Sequence, residues 1–337
     1  MDRALRAAGH EHVIVHTGQH YAPELSDSLF TDLGIPSPDI NLEIGSGSHA
    51  VQTGTMMIGL EKVFEQERSD WVLVYGDTNS TLAAAIAAVK LHQPVAHLEA
   101  GLRSGNRLMP EEHNRIVTDH VADLLLAPTV TAMEHLAAEG LGPRSIDVGD
   151  VMTDVCFRVR DAVRLRPPSM PVEWSPDHET VLATIHRAEN TDDPVRLERV
   201  LSRLDGLGER VLLVAHPRLV SRAEHFDIAL RRDNIVPIPS MSYSQMVLAV
   251  DSAVGVVTDS GGLQKEAYLL TTPTLTVRSE TEWPETLTDG WNTIDPDLTI
   301  DAREYFRRAH PPQTAQPFGD GHAAERVVSA LEAWSGS

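Results

Sequence analysis

Two short apolar runs, Trp71-Val-Leu-Val-Tyr-Gly-Asp77 and Pro94-Val-Ala-His-Leu-Glu99, each end on a carboxylate, and an Ala-rich stretch over 81–91 separates them. Each run has strand length and stops at a small or polar residue, while the stretch between them has helix-forming composition. This is a strand–helix–strand unit, so its strands are parallel and their C-terminal ends lie on one side. Open α/β sheets take ligands on that side. Carboxylates placed there point to acid/base chemistry. For either residue alone, capping of the next helix is the competing explanation. A third acid weakens it. Met109-Pro-Glu-Glu112 opens another helix a short loop after Glu99, so Glu111 can return to the same rim.

The 337 residues give room for two domains with full cores. No segment approaches the roughly 20 apolar residues of a membrane span. No basic stretch followed by an apolar one opens the chain, so no secretory signal is expected. The lone Cys156 excludes an internal disulfide framework and a multi-cysteine zinc site. A cytoplasmic protein is therefore expected. The formal charge of −21 argues against sequence-independent nucleic-acid binding. Lysine occurs only at 62, 90 and 265, and an acidic, Lys-poor surface fits a salt-adapted cytoplasm. An acidic proteome at large is the plainer explanation.

Strand and helix signals alternate through the first half, from Val13-Ile-Val15 to Asp123-Leu-Leu-Leu-Ala-Pro128 with a helix over 131–139. Pro167-Pro-Ser-Met-Pro171 and Ser175-Pro176 mark a linker. A second alternation follows, with strands expected at 181–185, 211–215, 235–238, 255–258 and 274–277. The fold class is α/β, with two Rossmann-like doubly wound domains facing a central cleft. The expected division is 1–166, 167–320, and a C-terminal helix over 321–337 that returns to the first domain.

Thr258-Asp-Ser-Gly-Gly-Leu-Gln-Lys-Glu266 follows a strand and opens a helix. Ser260 suits the N-cap, and Gly261 and Gly262 let a phosphate approach bare amides at the positive helix end. Glu266 lies about one and two-thirds turns further on, within reach of a ribose. His186-Arg187 and His216-Pro-Arg218 each follow a strand of the second half and suit anionic-ligand recognition. Asp295-Pro-Asp297 reads as a turn and Asn190-Thr-Asp-Asp193 as a helix start, so no metal is expected.

These residues together resemble the non-hydrolysing UDP-N-acetylglucosamine 2-epimerase family. The matching motifs are His16-Thr-Gly-Gln-His20, Gly76-Asp-Thr78, His97-Leu-Glu-Ala-Gly-Leu-Arg103, Pro110-Glu-Glu112 with Asn114-Arg115, His186-Arg187, and Asp259-Ser-Gly-Gly262 with Glu266. The resemblance implies a glycosyltransferase-B-like architecture, a homodimer, a UDP-sugar substrate, and no metal or redox cofactor. It further implies inversion at C2 by anti elimination of UDP and re-addition through a glycal. Asp77, Glu99 and Glu111 would be the acid/base set, with base and acid unassigned, and His186 an essential group near the diphosphate. Ser260, Gly261 and Gly262 would hold the phosphates and Glu266 the ribose. Arg187, His216 and Arg218 would serve the UDP side. Gln19 and His20 fall where some relatives contact a second, activating nucleotide sugar, and Arg115 belongs with the sugar contacts.

Three departures stand out. The family opens with a strand and a basic loop, whereas Met1-Asp-Arg-Ala-Leu-Arg6 begins inside the first helix, so that strand is expected to be missing. Trp283 stands where many members have Arg, and it either stacks on the ligand or packs. With Met109-Pro-Glu-Glu112 it resembles the branch acting on UDP-2,3-diacetamido-2,3-dideoxy-glucuronate. The loop from Glu99 to Glu111 is short. The remaining readings are a glycosyltransferase of the same architecture, and a nucleotide-sugar-binding remnant without turnover.

Overall fold

The computed structural model describes residues 1–19, 34–175, 179–313 and 316–334. The chain divides into two units, Met1–Val155 with Gln316–Ser337, and Cys156–Ala315. The division falls inside the helix Val151–Leu165, ahead of the Pro-rich stretch at 167–171, because that helix has its first turn on one unit and its remainder on the other.

In the first unit β3 (Val72–Tyr75), β4 (Val95–Leu98), β5 (Leu124–Ala127) and β6 (Ser145–Asp147) form a parallel sheet in sequential order. β1 (Val15–His16) and β2 (Ile40–Asn41) form a separate parallel pair. Every residue of β4 and β5 is buried, whereas β3 alternates and leaves Tyr75 exposed. That is the pattern of central against edge strands. The helix Asn79–Lys90 packs by its alanines on this sheet, and Thr78 caps it. The last helix, Ala323–Ala333, packs on the other face around Leu98, Leu126 and Val327.

In the second unit six parallel strands run in the order β12-β11-β10-β7-β8-β9: Asn292–Ile294, Thr274–Thr276, Gly255–Thr258, Thr180–Thr184, Arg210–Val214 and Ile235–Ile238. In sequence order this is the doubly wound arrangement, whose direction of winding reverses between β7 and β10. Its core joins β7, β8 and the helix Pro194–Asp205 through Leu197, Leu201, Leu204 and Leu213. The expected strands lie within a residue or two of these positions. β2, β6 and β12, each of two or three residues, have no counterpart in the sequence reading.

Candidate active site

In the first unit β3 and β4 pair with Tyr75 opposite Leu98, so Asp77 and Glu99 leave the sheet at the same edge. Gly76 turns there with φ +62°, and Glu99 itself sits at φ +69°, a left-handed conformation uncommon for a residue with a side chain. Glu99 Oε2 packs against bare Gly76, 3.2 Å from where a Cβ would stand.

The helix Pro110–Val121 closes on this edge. Asn114 Nδ2 donates to the Asp77 carbonyl at 2.9 Å, and Arg115 Nη2 to Asp77 Oδ2 at 2.5 Å. Glu111 lies one turn before Arg115 and shares its face. Arg115 also donates from Nη1 to buried Glu112 at 2.8 Å. Glu112 accepts from the Ser104 and Gly105 amides at 3.0 and 2.9 Å, fastening that loop to the helix start. Burial opposes its ionisation, and these donors outweigh burial, holding its pKa below the usual carboxylate value.

Beneath the two acids lies a charge cluster to which the sequence reading gave no role. His97, fully buried, has Nδ1 2.6 Å from Asp119 Oδ1 and Nε2 2.8 Å from the Gly76 carbonyl. Asp119 Oδ2 accepts from the Gly101 amide at 3.1 Å and from Arg103 Nη1 at 2.7 Å. One buried carboxylate thus braces the ends of both β3 and β4. Burial would raise its pKa, but the His97 and Arg103 partners hold it below the ordinary value. Gly101 cannot be replaced here, because its Cβ would lie 2.4 Å from the Ala132 carbonyl at φ +85°. The sequence signal was the spacing of Glu112, Arg115 and Asp119, three charges on one helix face, which turns out to be the buried face.

Gln19 Oε1 accepts from the Ser80 amide and hydroxyl at 2.9 and 2.8 Å, at the start of the helix after Asp77. His20 lies outside the described residues.

In the second unit, His186 and Ser260 follow β7 and β10, the strands between which the winding reverses. Doubly wound sheets bind ligands outside that point. Buried Asp259 ties its two sides together. It accepts from the His186 and Arg187 amides at 3.1 and 2.9 Å and from Asn190 Nδ2 at 3.0 Å, and lies 3.2 Å from His186 Nδ1. The His216 ring lies 4.9 Å from that of His186, tilted by 30°. Its Nδ1 caps the helix Pro217–His225 by accepting from the Arg218 amide at 3.2 Å. Partial desolvation by this crowding, then the charge of His186, lowers the His216 pKa although its outer edge is open to solvent. Arg218 is committed to Asp192 through two bonds of 2.6 and 2.7 Å.

Ser260 caps the helix Gly261–Leu269 with a long contact of 3.4 Å to the Leu263 amide. Gly262 faces open space, with nothing within 4 Å of an added Cβ. Glu266 stands half-buried on that helix, near enough to Tyr243 that burial first, and the carboxylate second, push the phenol pKa up. Trp283 is buried with Lys265 Nζ 4.0 Å above its ring, so within this unit it packs. Among the described residues no group of three or more His, Cys, Asp or Glu is arranged to hold a metal, and no helix is long and apolar enough to cross a membrane.

The sequence model of a family described as UDP-N-acetylglucosamine 2-epimerase matches residues 3–332, taking in both units. The chain belongs to this family. Its members are isomerases. The UDP-N-acetylglucosamine 2-epimerase of Methanococcus maripaludis is 36% identical over 334 residues, covering 94% of this chain and 90% of the relative. The UDP-2,3-diacetamido-2,3-dideoxy-D-glucuronate 2-epimerase of Pseudomonas aeruginosa is 40% identical over 328 residues, covering 95% and 90%. Among solved structures, the Methanocaldococcus jannaschii UDP-GlcNAc 2-epimerase in complex with UDP-GlcNAc and UDP superposes with a TM-score of 0.86 at 35% identity. That match covers 98% of this chain and 94% of the other. The α/β fold with parallel sheets in two glycosyltransferase-B-like units is that of the family.

Proposed function

We propose that the protein interconverts UDP-N-acetylglucosamine and UDP-N-acetylmannosamine. A base takes the C2 proton as the C1–O bond breaks and UDP leaves. UDP then re-adds to the glycal at C1 while C2 regains a proton on its other face. Asp77, Glu99 and Glu111 supply the proton transfers. Ser260, Gly261, Gly262 and Arg187 hold the diphosphate, His186 stands beside it with His216, and Glu266 takes the ribose. The observation that carries this reading is the meeting of Asp77, Glu99 and the Glu111 helix at one sheet edge, fixed by Arg115 and Asn114. A nucleotide-binding fold alone has no need of it. We further propose a homodimer acting in a salt-adapted cytoplasm, with motivation in the family and in the −21 charge.

A second substrate reading has its own support. Trp283 and Met109-Pro-Glu-Glu112 resemble the branch acting on the diacetamido-uronate, and the relative of that name is 40% identical. Incubation in D₂O with each sugar, read by NMR, separates the two. Deuterium at C2 with formation of UDP-N-acetylmannosamine supports the first, and exchange with the uronate alone supports the second. No exchange with either rejects both.

A further inference from the structure

The phosphate end of the second unit already holds an anion. Glu282 Oε1 lies against Gly261, only 2.1 Å from where a Cβ would stand, at the N-terminus of the helix Gly261–Leu269. Arg187 Nη2 is 3.5 Å from the same oxygen. The other oxygen, Oε2, accepts from buried Arg278 Nη1 at 2.6 Å. Two guanidinium groups beside a helix N-terminus make the kind of environment that recognises phosphate oxygens. The backbone amide of Arg187 donates to Asp259, whose carboxylate is also engaged by the His186 amide and Asn190 Nδ2. Glu282, by contrast, reaches into the space over Gly261, and absence of a side chain at 261 is what admits it.

We propose that Glu282 is a resident counter-anion of the diphosphate site, displaced from Gly261 and Arg187 when the diphosphate arrives. It therefore sets UDP affinity. This rests on the diphosphate assignment above. Burial opposes ionisation of Glu282, and Arg278, with Arg187 further off, keeps its pKa below the usual carboxylate value, so the competing charge is present at neutral pH. Like charges do not share one set of donors without loss, so the carboxylate must swing away or weaken the phosphate contacts. Arg278 provides the pivot, because it holds Oε2 while Arg187 faces Oε1.

The test is calorimetric titration of UDP into the full chain. Glu282→Gln keeps the shape and removes the charge, and should tighten UDP about tenfold, a change of about 1.4 kcal/mol. The KM of the UDP-sugar should fall in step. Glu282→Asp keeps the partner of Arg278 while shortening the reach to Gly261, and should tighten UDP by a smaller factor, about threefold. It serves if the Gln variant does not fold. Unchanged or weaker UDP binding in a variant with native circular dichroism would overturn the proposal and make Glu282 a structural partner of Arg278. Absence of UDP binding by the unaltered protein is a different failure, that of the diphosphate assignment itself.

Discussion

At Gly262 structural and ligand-binding roles can be separated. An added Cβ there meets nothing within 4 Å, whereas at Gly261 it meets the Glu282 carboxylate. Gly262→Ala should therefore fold with a melting temperature no lower than the wild type's while screening the amide that the proposed diphosphate site uses. UDP affinity should drop about tenfold or more, in line with the loss of one charge-assisted hydrogen bond. Titration beside a melting curve decides it, and wild-type affinity in the folded variant would remove Gly262 from the phosphate site. The Ser260-Gly-Gly262 helix start was legible because N-caps and glycines act locally. Glu282 was not. It lies twenty-one residues beyond Gly261 in the sequence, and only the packed loop after β11 brings it back to that helix. Asp259 was legible as part of a motif, yet its bonds to His186 and Arg187 depend on β7 pairing with β10, strands not consecutive in the chain.

Among the elements, the helix Pro110–Val121 shows where sequence patterning stops informing. Its start was readable from Pro110 and two acids, but its buried face is polar, with Glu112, Asn114, Arg115, Thr118 and Asp119 inward. Apolar periodicity gives no warning of such a face. The strands β3 and β4 were readable because a parallel core is apolar throughout and stops abruptly at its ligand side. The polar face carries a pH consequence. Asp119 and Glu112 have folded-state pKa values below their unfolded ones. The stability they contribute is present above the unfolded values, about 4 for both residue types, and is lost as pH falls through the lower folded values. Urea midpoints should hold steady from neutrality to about pH 5 and fall steeply below about pH 4. Asp119→Asn removes the anion shared by His97 and Arg103, and should cost about 3 kcal/mol at pH 7 with a shallower acid limb. A variant whose acid limb matched the wild type would detach Asp119 from this behaviour.

For the molecule as a whole, the surplus of acid sets a contest between two salt effects. Exposed pairs such as Arg232 with Glu198 and Arg164 with Asp251 weaken as ions screen them, a loss of about 0.2–1 kcal/mol each. Buried pairs such as Arg103 with Asp119 are screened far less. Against that loss stands self-repulsion from a net charge of −21. Two like charges about 10 Å apart in water repel by about 0.4 kcal/mol, and the screening length shrinks from about 10 Å at 0.1 M salt to about 3 Å at 1 M. With 49 acidic residues against 28 basic ones, relief of repulsion is expected to outweigh the lost surface pairs. The expected net gain is about 2 kcal/mol between 0.1 and 2 M KCl, or roughly 4–8 °C in Tm for domains of this size. Scanning calorimetry across that range is the measurement. A flat or falling Tm would mean that the charges are spaced or paired well enough to cancel at low salt, and that the acidic composition is no adaptation to it.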